Sequence, residues 1–154
     1  MIKLIQNPSV YTIKNIIEHP VMVELHSGIK NYAYNWTPDP ETSYILGVDV
    51  ASGKQIGLVT FKPFTDLILE AHIYILPEHW GTGMSGKFAA KVYQDIFVPS
   101  KYAQLMTYTP ATCVQVESFL TNFGFTKEYT MHKALTYMNQ LTDLHFYIKN
   151  KETS

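Results

Sequence analysis

Apolar positions follow two different periods along this chain. "IKLI" at 2–5 is a short apolar run that reads as a first strand. Ser9 is placed to cap a helix over "VYTIKNIIEH", where Ile13, Ile16 and Ile17 form one apolar face, and Pro20 follows its end. "VMVELHSG" reads as a further helical turn or two, and "IKNYAYNWTPDPET" as a loop because of its prolines. From residue 43 the period becomes two. "SYILGVDV" and "QIGLVTFKPF" flank "ASGK", the signature of an antiparallel hairpin, and "LILEAHIYIL" is the third strand of the series. In "GMSGKFAAKVYQDIF" the period is helical again, with Met84, Phe88, Val92 and Ile96 four apart. "YAQLMTYT" reads as a strand, and "TCVQVESFLTNF" as a helix with Val116, Leu120 and Phe123 on one side and Gly124 ending it. "FTKEYTMHKAL" and "LHFYIKN" supply two closing strands. The predicted order is β, α, β, β, β, α, β, α, β, β.

Composition narrows the function classes. A chain of 154 residues with 46% apolar and 14% aromatic residues is expected to form one globular domain. Its net charge of −1, from twelve lysines and no arginine against thirteen acids, disfavours nucleic-acid binding. No apolar run is long enough for a membrane span, and "MIKLIQNPS" lacks the pattern of a signal peptide, so a cytoplasmic protein with no membrane partner is expected. A single cysteine, Cys113, and six histidines without H-x-x-x-H spacing give no expectation of a metal site. Cys113 reads as a small buried hydrophobe rather than a nucleophile.

The stretch "ILPEHWGTGMSGKF", residues 75–88, carries three overlapping signatures. Gly81, Gly83 and Gly86 spell G-x-G-x-x-G, and Gly81 to Lys87 spell G-x-x-x-x-G-K. The dinucleotide reading fails because three predicted strands precede the one that leads into the loop, "PEHW" intervenes, and no acid stands about 20 residues on. The phosphate-loop reading fails at Phe88, where the hydroxyl that should hold magnesium is missing. The third reading is the pyrophosphate loop of an acyl-CoA enzyme. All three rest on backbone N–H groups approaching a phosphate at a helix start.

"LPEHWGTGMSGKFAAKVYQDIF", followed by "VESFLTNFGFTKE", resembles the GNAT acetyltransferase superfamily. Its motif is most similar to the subgroup that includes ribosomal-protein N-terminal acetyltransferases. The resemblance spans about residues 1–150, leaving 151–154 as a short polar tail, and is strongest over 66–128. It implies an α+β fold: a mixed, mostly antiparallel sheet with flanking helices and a splayed central parallel strand pair. It also implies acetyl-CoA as co-substrate, with Gly81, Thr82, Gly83, Met84, Ser85, Gly86 and Lys87 around the pyrophosphate and Ile73, Tyr74 and Ile75 along the pantetheine arm. Glu70 matches the glutamate that many members place seven residues before the loop proline, here Pro77. Glu70, His72 and Tyr74 alternate with Ala71, Ile73 and Ile75 and so share one strand face, which makes Glu70 or His72 the candidate base.

Two family positions depart from the pattern. Where members often carry an asparagine and a tyrosine acid, this chain has Cys113 and Leu120; Tyr108 is close by but on a strand, and is not taken as the replacement. The resemblance implies transfer of an acetyl group to a primary amine by direct attack, the acceptor being a small molecule or a protein N-terminus or lysine. "GIKNYAYNWTPDPET" is expected to border the acceptor side, and the lack of an acidic patch disfavours a polybasic acceptor. The alternative is a GNAT-fold assembly module, such as a phage virion or head-assembly protein, with weak or no catalysis and a homodimeric or virion partner.

Overall fold

Ser9 opens the first helix as its sequence predicts: its hydroxyl accepts the N–H of Thr12 at 3.2 Å. Replacing Ser9 with Ala is expected to cost about 1 kcal/mol, seen as a lower denaturant midpoint at unchanged slope. The computed structural model describes residues 1–25 and 36–152. Its elements are β1 (Ile2–Gln6), α1 (Val10–Ile17), α2 (Pro20–Leu25), β2 (Ser43–Asp49), β3 (Gln55–Pro63), β4 (Ile68–Ile75), α3 (Met84–Val92), β5 (Gln104–Pro110), α4 (Val114–Asn122), β6 (Thr126–Tyr137) and β7 (Gln140–Asn150). The parts of the predicted second helix and of the following loop that fall on 26–35 lie outside the described residues.

The strands form one seven-stranded sheet, β1-β2-β3-β4-β5-β7-β6, in which only β4 and β5 run parallel. Alternation along the strands divides the apolar side chains between two faces. Ile45, Val59, Phe61, Leu69 and Leu105 pack with Phe88, Val92 and Phe97 after α3's start and with Leu120 of α4. Tyr44, Leu46 and Leu58 pack on the other face against Ile13, Ile16 and Ile17 of α1. Phe88 is fully buried, and a Cβ on Gly47 would stand 2.6 Å from its ring. The bare backbone of β2 at that point therefore lets α3 lie close on the sheet, which sets its N-terminus beside the end of β4.

Three details differ from the sequence reading. The stripe Met84, Phe88, Val92 does not continue to Ile96: a single π-helical turn over Tyr93–Phe97 adds one residue, so Phe97 is fully buried and Ile96 only partly. On α4, Val116 is 42% exposed, while Phe119, Leu120 and Phe123 meet the core. Only the C-terminal half of that helix lies over the sheet. The closing strands are longer than predicted and join through Met138 and Asn139, both at positive φ (51° and 64°), as a two-residue hairpin turn requires. Lys151 and Glu152 are tied to the fold, through Ala103 O and the Tyr93 hydroxyl. Among the described residues no helix is long and apolar enough to cross a membrane, and no three His, Cys, Asp or Glu side chains are grouped to hold a metal.

Candidate active site

The parallel ladder between β4 and β5 lasts for three residue pairs, Ile68–Gln104, Leu69–Leu105 and Glu70–Met106. Beyond Glu70 both strands continue, to Ile75 and Pro110, without pairing to each other. The expected splay is present, and it opens a slot in the middle of the sheet. On the α3/α4 face the slot is an apolar cavity of about 60 Å³ whose walls include Ala71, Ile73, Ala89, Thr107 and Phe119. His72 borders it as well.

The loop that follows β4 is held in place by its own side chains. The Trp80 indole N–H donates to Ile75 O at 2.8 Å, and the buried His79 donates through Nε2 to Gln55 O at 2.9 Å. Thr82 donates its hydroxyl to His79 O and accepts the N–H of Met84, an N-cap role shared with Gly83, which stands at φ 79°. Gly81 is also left-handed, at φ 72°. Gly86 has neither a positive φ nor a neighbour: a Cβ there, as at Gly81 and Gly83, would meet nothing within 4 Å. Packing within the chain thus gives no reason for Gly86, whereas an approaching ligand does. The N–H groups of Gly81, Gly83, Ser85 and Gly86 have no acceptor among the described residues. They lie at or just before the start of α3, where the helix dipole is positive, a setting that can receive a phosphate. Lys87 is exposed in the first turn and adds a positive charge.

The opposite face of β4 carries Glu70, His72 and Tyr74, in register with Lys62, Thr60 and Leu58 of β3. These side chains floor a cleft of about 190 Å³ that Ile17, Trp36, Asp39, Thr42, Tyr44 and Tyr108 enclose. Glu70 Oε2 lies 3.2 Å from His72 Nε2. That hydrogen bond, with the His72 and Lys62 charges, holds the Glu70 carboxyl below its usual range against the opposing effect of burial. An ionised carboxylate only accepts, so His72 is the donor through Nε2. Tyr108, across the splay on β5, meets the His72 ring edge-on at 4.7 Å. Burial, then the Glu70 charge, pushes its hydroxyl up to about 12, so it stays protonated at neutral pH. Tyr74 is raised further still, by burial first.

The structure brings Glu70 and His72 together as expected and sets Ile73 in the slot wall. Ile75 packs on the α3-side core, and the Tyr74 side chain turns to the cleft rather than the slot. Cys113, half-buried, caps α4, and Leu120 is 5% exposed in the core, so neither reaches the cleft. Sequence reasoning set Tyr108 aside and missed Asp39 and Lys62. The parity of "VTFKP" opposite "LEAH" carried a signal for Lys62, since residue 62 falls across from residue 70 once the hairpin closes. Asp39 had none.

No family model and no curated protein matches the chain. Among solved structures it is similar to a spermidine N-acetyltransferase from Vibrio cholerae in complex with CoA and spermine. That match has 13% identity and a TM-score of 0.81, and covers 97% of this chain and 95% of the other. It is also similar to a putative acetyltransferase from Acinetobacter baylyi, with 16% identity, a TM-score of 0.77, and coverage of 97% and 92%. A dodecameric spermidine N-acetyltransferase structure from Vibrio cholerae matches at 17% identity and TM-score 0.66, over 73% of this chain and 67% of the other. At these identities the likeness shows the fold, and the chain has the GNAT fold. The loop's likeness to the ribosomal-protein subgroup has no counterpart among these three.

Proposed function

We propose that the chain is an acetyl-CoA-dependent N-acetyltransferase that acylates a small primary amine by direct attack. The observation that carries this is the position of His72. It borders both the apolar slot under α3 and α4 and the polar cleft on the other face of the sheet. A thioester led through the slot reaches the cleft where an amine would enter. The CoA-bound neighbour of the same fold supports acetyl-CoA as the donor.

The loop N–H groups and Lys87 fit a pyrophosphate, and Ile73 with Ala71 fits the apolar arm. Acetyl-CoA supplies an activated acetyl group. His72 Nδ1 takes a proton from the incoming ammonium, Glu70 keeps the ring in the required tautomer, and Tyr108 holds a proton for the departing sulfur. The new bond is N–C and the broken one S–C. Of the two protons lost by the ammonium, one ends on the thiol and one reaches solvent. Tyr108 thus fills the acid role that Leu120 leaves vacant.

The spermine bound in the CoA-containing neighbour favours a small-molecule acceptor, and the cleft of about 190 Å³ agrees with one. A protein N-terminus, which the loop's subgroup likeness would imply, needs more room. Self-association, as a homodimer or larger, belongs to the same proposal, in line with the dodecameric neighbour. A virion or assembly module finds no support among the neighbours, and it gives no reason for the open cradle at Gly86. Calorimetric titration with acetyl-CoA is expected to show micromolar binding, and an amine panel should release free thiol. A folded protein that binds no acetyl-CoA would place the assembly reading first.

A further inference from the structure

The cleft holds three charged side chains among the described residues: Asp39, Lys62 and Glu70. Asp39 is fully engaged. Its Oδ2 lies 2.8 Å from Lys62 Nζ and accepts the Thr42 hydroxyl at 3.1 Å, and its Oδ1 accepts the N–H of Glu41 at 3.0 Å. The Lys62 contact, first of these, holds the Asp39 carboxyl below its usual range and in turn raises the Lys62 ammonium. Glu18, whose Oε1 accepts the Trp36 N–H, is offset by Lys14 at 3.9 Å. Glu41 lies close enough to Lys62 to act on its charge. Among the described residues that line the cleft, Glu70 is left to attract a cation, with the His72 ring as its partner. The rest of the described wall is mostly aromatic, with Ile17, Thr42 and Thr60 beside the rings: Trp36 meets Tyr44 edge-on at 5.6 Å, and Tyr108 flanks His72.

We propose that the Lys62–Asp39 ion pair sets the acceptor class. It occupies the carboxylate that a second ammonium would need and places a like charge in its path. The acceptor is therefore a primary monoamine with a short apolar or aromatic body, whose ammonium lies near Glu70 and whose body lies against the ring faces. Polyamines are excluded by the same pair. This rests on the acetyl-transfer reading and deepens it.

The test is steady-state thiol release from acetyl-CoA with phenethylamine, 1,4-diaminobutane and spermidine, for the parent and for Lys62→Met. The parent is expected to show kcat/KM for phenethylamine at least tenfold above that for spermidine. In Lys62→Met the ratio of diaminobutane to phenethylamine should rise at least tenfold, through KM of the diamine, because Asp39 is then free to take the second ammonium. A parent that uses spermidine as well as phenethylamine overturns the acceptor class and leaves acetyl transfer standing. So does an unmoved ratio in a Lys62→Met protein that still binds acetyl-CoA and turns over. Absence of turnover with every amine overturns both readings.

Discussion

His72→Ala is expected to slow acetyl transfer by a hundredfold or more, about 2.7 kcal/mol in the barrier, with acetyl-CoA affinity nearly unchanged. The ring stands between Glu70 and Tyr108: its Nε2 is 3.2 Å from the Glu70 carboxylate, and it meets the Tyr108 ring edge-on with centroids 4.7 Å apart. Glu70 was the other candidate from the strand pattern, and its depressed carboxyl makes it the weaker base of the two. Glu70→Gln should therefore cost less than His72→Ala. It removes the charge that holds the ring but leaves the imidazole itself in place. The profile of kcat/KM against pH separates the roles. With Glu70→Gln the fall in rate at low pH persists, whereas with His72→Ala it disappears. A larger loss with Glu70→Gln would reverse the assignment, and two variants as fast as the parent would place the base elsewhere.

Gly83→Val is expected to weaken acetyl-CoA binding tenfold or more, about 1.4 kcal/mol or above. Two effects act together. Gly83 sits at φ 79°, a region that a β-branched residue enters only at a cost of about 1–2 kcal/mol, so the loop would shift to relieve it. The added side chain also occupies the open space beside Gly83, where a Cβ would meet nothing within 4 Å. Calorimetry reads the affinity, and thermal unfolding shows whether the fold survives. A folded Gly83→Val protein that binds like the parent would remove this loop from the cofactor site.

Much of the architecture was legible in the residues because local periodicity and caps point the same way as the tertiary contacts. The Ser9 cap, the "ASGK" hairpin and the Gly124 stop each came from a single local rule and each stands in the structure. The glycine loop was recognisable because its spacing and its place before a helix are properties of the chain itself. Glu70 and His72 were legible for a similar reason: a strand's period of two puts residues two apart on one face wherever that strand ends up.

Other features depended on contacts that no local rule contains. The Met138–Asn139 turn lacks a glycine, and its positive φ values are imposed by the pairing of two long strands. The π-helical turn that exchanges Ile96 for Phe97 exists because the core beneath it accepts Phe97. The ladder's end at Glu70 decides that His72 and Tyr108, 36 positions apart, face each other across a slot. Asp39 reaches Lys62 from a segment with no periodic signal. The sequence by itself thus determined the elements, the faces of the strands and the phosphate-type loop, since these follow from spacing along one chain. Which side chains meet across the splay, and which carboxylate Lys62 engages, was decided by the tertiary structure alone, since long-range pairing sets those distances.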